Sequence, residues 1–491
     1  MKKQGETQSS PGLADARKGA PAITSPAHQL SPAERVAAGK IARAKVLRSN
    51  HADWDPPVDR PDPINLLEAQ AATRVPELIP IRYGRMLASP FAFYRGAAVI
   101  MASDLATMPH SGIYVQLCGD AHIANFGGFA SPERDIVFDI NDFDETLPGP
   151  WEWDVKRLAA SLEIAGRERG FDAKQRHSIV LATVGEYRRA MREFAGMHTL
   201  DVWYSLLDAA KIQARWGAIS RPKAVKKIEA NFSLAHTRDN LRAFEKLTHR
   251  VGDQVRIVSH PPLVVPVEEL FPEEIDRIQT QHLFQNYLQS YGKTLADDRR
   301  HLLEQFHFVD IARKVVGVGS VGTRSWIALL LGRDDEDPLF LQFKEAQASV
   351  LEAYAGKSKF VDHGKRVVEG QRLMQAASDI FLGWERVPEG TDGQPHDYYA
   401  RQLWDWKLSA DLETMPPKEL TVYGEMCGWT LARAHARSGD RIAIAAYLGK
   451  GDTFDQALAE FAVAYADQNQ RDYQALVGAV KSGRIKAETG I

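Results

Sequence analysis

The stretch Cys118–Phe129, CGDAHIANFGGF, sets an aspartate, a histidine and an asparagine in one short polar run between more apolar flanks. It follows GIYVQL, Gly112–Leu117, whose β-prone apolar residues predict that Gly119 and Asp120 sit where a strand ends. Asn125 comes five residues after Asp120, and Asp139 comes nineteen after it, in DIVFDINDFDET. The segment between has the form of a short strand, a turn at ASPERD and a second strand, IVFDI. A β-hairpin of that length folds its ends together and is expected to bring Asp139 back beside Asn125. Two oxygen ligands at neighbouring strand ends suit a magnesium ion, which keeps several waters and takes its remaining ligands from phosphates. Asp120, slightly apart, is then placed to accept a proton from an attacking hydroxyl.

Any one of these residues has a plainer reading. An Asp-x-x-x-x-Asn spacing recurs by chance in long chains, His122 can serve loop packing, and Asp142, Asp144 and Glu145 can form a turn or a solvated acidic cluster. The succession of Asp, Asn, hairpin, Asp and then Asp154 at the start of a helix is what gives the pattern weight.

A second motif lies far downstream. Gly317, Gly319 and Gly322 spell G-x-G-x-x-G in VVGVGSVGTRSW. A dinucleotide-binding fold needs a helix to begin at the third glycine. Here TRSWIALLLG, RDDEDP and LFLQFKEA read instead as strand, turn and strand, with Lys344 near the end of the second strand. The glycines are therefore predicted to sit on an antiparallel hairpin whose backbone amides can cover phosphates.

CGDAHIAN resembles the H-G-D-x-H-x-x-N loop of the protein-kinase-like superfamily, in particular its aminoglycoside and choline phosphotransferase branch, with Cys118 in place of the leading histidine. PWEWDVKRLAASL is similar to that branch's Asp-Leu-Ala helix, which implies that Asp154 buttresses the loop. In kinases the glycine-rich hairpin precedes this loop, whereas here it follows by about two hundred residues, so the resemblance implies a circularly permuted order. Five phrases, RVPELIPIRYGRMLASPFAFYRGAA, GDAHIANFG, FDINDFDETLPGPWEWDVKRLAAS, KVVGVGSVGTR and GQRLMQAASDIFLGW, are similar to the bacterial family termed domain of unknown function 2252. That family is grouped with kinase-like proteins.

The resemblance implies an ATP-dependent, Mg²⁺-dependent phosphotransferase acting on an unknown small-molecule or protein acceptor. Asp120 would be catalytic. Asn125, Asp139 and Asp142 would hold the metal, with Asp144 an alternative. Gly317, Gly319, Ser320 and Gly322 would cover the nucleotide. Lys344 would orient its phosphates, with Glu369 as ion-pair partner and Glu352 as the alternative. Arg82, Arg85 and Arg95 are open between phosphate contacts and structural ion pairs. Nucleotidyl (AMP) transfer and a non-catalytic ATP-binding regulator are the alternative functions. A two-metal phosphoesterase is disfavoured because no Gly-Asn-His element occurs.

The expected fold is α+β, a kinase-like two-lobe arrangement with a small antiparallel β-rich lobe and a large helical lobe. Residues 1–30 read as a flexible tail and 31–80 as an N-terminal helix and strap. The large helical lobe spans 81–312, the small nucleotide-binding lobe 313–407, and a hinge with completing helices 408–491. HARSGD, near the end of that last stretch, copies a catalytic loop superficially. Ala445 stands where an asparagine would be needed, so Asp440 and His435 receive no catalytic role.

The 61 basic and 64 acidic side chains of the 491 residues nearly cancel, and no global field singles out nucleic acid as a partner. Lys211–Arg250 is locally basic, ten against three, and reads as a solvated helical face. Two cysteines exclude a disulfide framework, and no secretory signal or apolar run of the ~20 residues a membrane span needs is found. A cytoplasmic protein is expected.

Overall fold

A computed structural model describes residues 30–490 apart from 218–239, 253, 272–273, 316, 391 and 404–405. The proposed tail and the middle of the basic run lie outside the described residues.

The fold is mixed α+β, with helices and several antiparallel sheets. The first helix, Pro32–Lys45, begins at a complete capping box in which Ser31 and Glu34 satisfy each other's backbone N–H groups. Short helices Ile79–Met86, Pro90–Gly96 and Ala98–Leu105 follow, and Pro90 at the first helical position with Ser89 as cap marks the break between the first two. Strand Tyr114–Leu117 pairs antiparallel with Leu147–Pro150, and Phe126–Ala130 pairs with Ile136–Ile140 as a hairpin. Helix Glu152–Glu168 runs from the hairpin into the interior, buried along nearly its whole length.

Six antiparallel strands make the largest sheet, in the order Gly383–Val387, His396–Gln402, Pro338–Ala346, Ser325–Leu331, His307–Lys314, Val264–Pro266. Side chains alternate across it. Trp326, Ala328 and Leu330 face a cluster with Tyr291 and Phe343, while Ile327, Leu329 and Leu331 face another with Ala243 and Leu247. Both faces are covered, which is why these strands read as continuous apolar runs instead of alternating ones. The sheet takes in Val264–Pro266 and most of His307–Lys314, so it begins earlier in the chain than residue 313.

After the sheet the chain returns to the helical body. Helix Pro417–Ser438 packs along Ala173–Gly196, and a Cβ on Gly428 would stand 2.4 Å from the Thr183 carbonyl oxygen, so only glycine permits this approach. Helix Thr453–Lys481 packs on Glu152–Glu168. One hydrophobic core therefore draws on residues both before and after the sheet, from Phe91 to Trp216 and from Leu420 to Ala466. No helix among the described residues is long and apolar enough to cross a membrane.

Candidate functional site

The polar loop is fixed by its own backbone. Asp154, in the first turn of helix Glu152–Glu168, accepts the N–H groups of Cys118 at 2.8 Å and Gly119 at 3.1 Å. Gly119 has φ +85°, and a Cβ there would meet the Glu145 carbonyl oxygen at 2.3 Å, so the turn that presents Asp120 requires glycine on both counts. Asn125 Nδ2 donates to the Asp120 carbonyl at 2.8 Å, closing the loop. Asp120 Oδ1 receives Arg157 Nε at 2.8 Å and Nη2 at 2.7 Å. Arg157 also donates to the Tyr94 carbonyl at 2.8 Å, and its guanidinium lies 4.0 Å from the centre of the Tyr94 ring. Burial raises the Asp120 carboxyl above its ordinary value, and the Arg157 charge opposes that rise. His122 is buried, with Nε2 3.7 Å from Asp120 Oδ2 and Nδ1 without a partner among the described residues.

The hairpin folds its ends together, but in a register that moves the acidic residue. Phe126 lies opposite Ile140 and Gly127 opposite Asp139, so the residue that meets Asn125 is Asn141, whose N–H donates to the Asn125 carbonyl at 2.8 Å. Asp139 is 1% exposed and does not line the cavity. Both its oxygens lie 2.7 Å from Arg433 Nη2, and they also accept the N–H groups of Ile140 and Ala376. The metal-ligand assignment drawn from spacing thus falls on a residue whose acceptors are already occupied. Beyond the strand, Asp142 and Asp144 reach the cavity instead.

Lys344 arrives there from the large sheet, paired in register with Ser325 and Tyr399. Its Nζ lies 2.7 Å from Asp144 Oδ2 and 3.8 Å from Asp142 Oδ2. Tyr399 donates to Asp144 Oδ1 at 2.6 Å, and Ser320 of the glycine turn donates to Asp144 Oδ2 at 3.1 Å. Burial alone would push the Lys344 ammonium down, but Asp142 and Asp144 outweigh it and hold the lysine well above its ordinary value. Asp142 is raised by burial and by the neighbouring Asp144 charge. Its Oδ1 accepts the Asp144 N–H at 3.2 Å.

Neither glutamate expected to partner Lys344 does so. Glu369 has a 39% exposed side chain and lies 3.6 Å from Arg372 on its own helix, and Glu352 lies 3.8 Å from His363. The residue that helix His363–Met374 aims at the acidic loop is Arg366, fully buried, donating to the carbonyls of Asp144, Thr146 and Gln347 at 2.7–2.8 Å. An arginine serving carbonyl groups replaces the anticipated ion pair.

These groups face a cavity of about 1020 Å³. Asp120, Asn125, Asp142, Asp144, Lys344, Gly317, Gly319 and Ser320 all line it. Gly322 does not. It has φ +90° and packs on Arg74, while Arg74 donates to the carbonyls of Gly319 and Val321, and the Val75 N–H donates to the Gly322 carbonyl. The glycine turn is thereby clamped to the N-terminal helices. Arg85 and Arg95 line the cavity, whereas Arg82 is wholly buried and donates to Gln70 Oε1 and the Gly96 carbonyl. Arg401 and Lys407 also line it, and burial pushes Lys407 down to about 8. His435 lies 2.8 Å from the Tyr187 hydroxyl and 3.2 Å from Asp154, in the loop's foundation, and Asp440 caps helix Arg441–Leu448. Among the described residues no group of three or more His, Cys, Asp or Glu gathers as a metal cage.

Sequence reasoning passed over Arg74, Arg157, Arg366 and Arg401. For Arg157 a signal exists, because it lies one helical turn beyond Asp154 on the same helix.

A family model of uncharacterized proteins conserved in bacteria, domain of unknown function 2252, matches residues 74–479. The chain belongs to this family. No curated protein and no solved structure matches it. The region shared with the family opens at Arg74, the clamp on the glycine turn, and it contains the hairpin, Asp154, Lys344 and Arg433.

Glu145 supplies a pH test of this family member's cavity. It lines the cavity, its Oε2 accepts the Val350 N–H at 2.7 Å, and burial pushes its carboxyl up to about 7. A carboxyl raised on folding binds more protons in the folded chain, so stability falls as pH rises from the unfolded value toward the folded one. Between pH 5.5 and 8 this group is expected to remove about 2 kcal/mol of stability. Glu145→Gln, which keeps an acceptor for Val350, should flatten that slope in urea unfolding curves. An unchanged slope would show that the carboxyl titrates normally.

Proposed function

We propose that this protein is an ATP-dependent phosphotransferase with the working parts of a kinase in permuted order. The single observation that carries the reading is the convergence of Lys344 and the glycine turn on Asp144, beside the Asp120–Asn125 loop, from segments 200 residues apart. Chain order favours it as well: the sheet is inserted between two parts of one helical core, as if a kinase had been rejoined through its ends and cut elsewhere.

Magnesium fits the residues present. Asp142 and Asn125 offer hard oxygen donors, and the repulsion between the Asp142 and Asp144 carboxylates is relieved by a divalent cation. A pair of protein ligands suffices, because this ion takes much of its shell from water and phosphate. When bound it would neutralise charge on the phosphates. The chain's own residues do the rest. Amides and Ser320 of the glycine turn cover the phosphates, and Lys344, kept protonated by its carboxylate neighbours, attracts them. Asp120 orients the acceptor hydroxyl and takes its proton as the new oxygen–phosphorus bond forms. The bond from the γ-phosphorus to the bridging oxygen breaks, and its electron pair leaves with ADP. Asp142 replaces Asp139 as the carboxylate ligand in this account.

Calorimetric titration with ATP, with and without Mg²⁺, tests it. Wild type should bind in a metal-dependent manner, and Asp142→Ala should weaken binding tenfold or more. Binding of NAD with none of ATP would overturn the assignment. Transfer of an adenylyl instead of a phosphoryl group, read from the mass gained by an acceptor, would replace kinase action by nucleotidyl transfer.

A further inference from the structure

The cavity continues past Asp120 to a wall built by elements that hold neither the metal-side carboxylates nor Lys344. Arg85 comes from the last turn of helix Ile79–Met86, Arg95 from the last turn of Pro90–Gly96, Arg169 from the end of Glu152–Glu168, and Lys314 from the end of strand His307–Lys314. Among the described residues four cations thus line this side, against one carboxylate, Glu168, which accepts the Phe91 N–H at 3.2 Å. Asp120, at its edge, is engaged by Arg157.

Two of the four stand where the fold leaves a donor or a charge incompletely matched. Arg95 Nε is buried and has no hydrogen-bond partner among the described residues, a costly state for a charged donor unless an acceptor arrives from outside. Lys314 is part-buried, and the charge that acts on it is another cation, Arg85, so burial and repulsion both press its ammonium downward. Like charges facing one cavity are stabilised by a bound anion. Lys344, the glycine turn, Asp142 and Asn125 already supply groups for the phosphates and metal of ATP, and Arg95, whose backbone lies against Gly319, carries positive charge from that turn toward Asp120. Arg95 lies within the field of Asp120, so an anion held there sets the rest of the molecule beside the proposed base.

We infer that the acceptor is a small molecule bearing a carboxylate or phosphate group, which Arg95 and Lys314 hold so that its hydroxyl is presented to Asp120. The inference rests on the phosphotransfer reading for the word acceptor, but the anion site can be tested apart from it. A cavity of about 1020 Å³ is of a size that takes a nucleotide and a small acceptor.

The test is calorimetry on the full chain with inorganic phosphate and, separately, malonate, each with and without saturating Mg²⁺ and a non-hydrolysable ATP analogue. At least one anion should bind, and which one binds distinguishes phosphate from carboxylate acceptors. Arg95→Gln and Lys314→Met should each weaken that binding tenfold or more, while Lys344→Met changes it less than twofold. Because Lys314 is at a strand end, Lys314→Met serves alone if the arginine variant does not fold. A chain that binds the Mg²⁺–nucleotide analogue but neither anion overturns this inference and leaves phosphotransfer standing. So does anion binding that depends on Lys344 and not on Arg95 or Lys314. Anion binding with the expected dependence, but no nucleotide binding, supports the site and removes the phosphotransfer reading instead.

Discussion

Asp120→Asn is expected to lower kcat for phosphoryl transfer by about 10²–10⁴-fold, the usual contribution of a positioned general base, while leaving the KM for ATP nearly unchanged. The asparagine keeps an oxygen for the Arg157 guanidinium and preserves the shape of the loop, whose backbone is held by Asp154 and Asn125 rather than by the Asp120 side chain. What it loses is the capacity to take a proton. The pH profile separates this from a merely structural role. A base must be unprotonated to act, so wild-type activity should fall on the acid side, through a carboxyl pKa that burial has raised. That limb should vanish in the variant. The readout is ADP release from Mg²⁺–ATP, with the basal reaction with water as its floor. Full activity in Asp120→Asn would reduce the residue to an anchor for Arg157.

The loop and the hairpin were legible because their signals are local. Short, largely apolar runs on either side of a polar turn make Phe126–Ala130 and Ile136–Ile140 strands, and a glycine at Gly119 followed by an aspartate marks a strand end. The glycine turn was legible for a similar reason: SWIALLL and PLFLQFKEA are strand runs on either side of an acidic turn, which leaves no room for a helix. Register was not legible. The Ser131 N–H bonds the Asp135 carbonyl and Arg134 takes φ +68°, which fixes a tight turn and sets Asn125 against Asn141. Counting residues from Asp120 carries no information on where that turn closes, and a shift of two positions exchanges Asp139 for Asn141.

The partner of Lys344 was hidden for a different reason. Helix His363–Met374 presents the face that packs on the acidic loop, and Gly370 on that face would place a Cβ 2.5 Å from the Thr146 side chain. Glu369 therefore turns outward and Arg366 inward. An arginine whose acceptors are backbone carbonyls leaves no complementary charge in the sequence to reveal it. Gly322 likewise fits the glycine pattern, yet the structure uses it for close approach to Arg74, a residue 248 positions earlier.

Asp139→Ala provides the sharpest contrast between spacing and structure, and it is expected to destabilise the protein by about 3–5 kcal/mol, the range found when one partner of a buried ion pair is removed. The substitution leaves Arg433, 1% exposed at its side chain, without its counter-charge. Burial already lowers the Arg433 guanidinium from its ordinary value, and its Nη1 is without a partner among the described residues, so nothing nearby takes over the charge. The N–H groups of Ile140 and Ala376 lose their acceptor at the same time. These contacts join the hairpin, helix Pro417–Ser438 and the end of helix His363–Met374, so the loss is felt where three distant segments meet. Urea unfolding measures it directly. Arg433→Met added to Asp139→Ala should recover part of the loss, because removing both charges ends the penalty of burying one alone. Mg²⁺-dependent ATP binding by the folded fraction should persist in Asp139→Ala and fail in Asp142→Ala. A variant of Asp139 with full stability and no metal dependence would return the metal to the position that spacing first suggested.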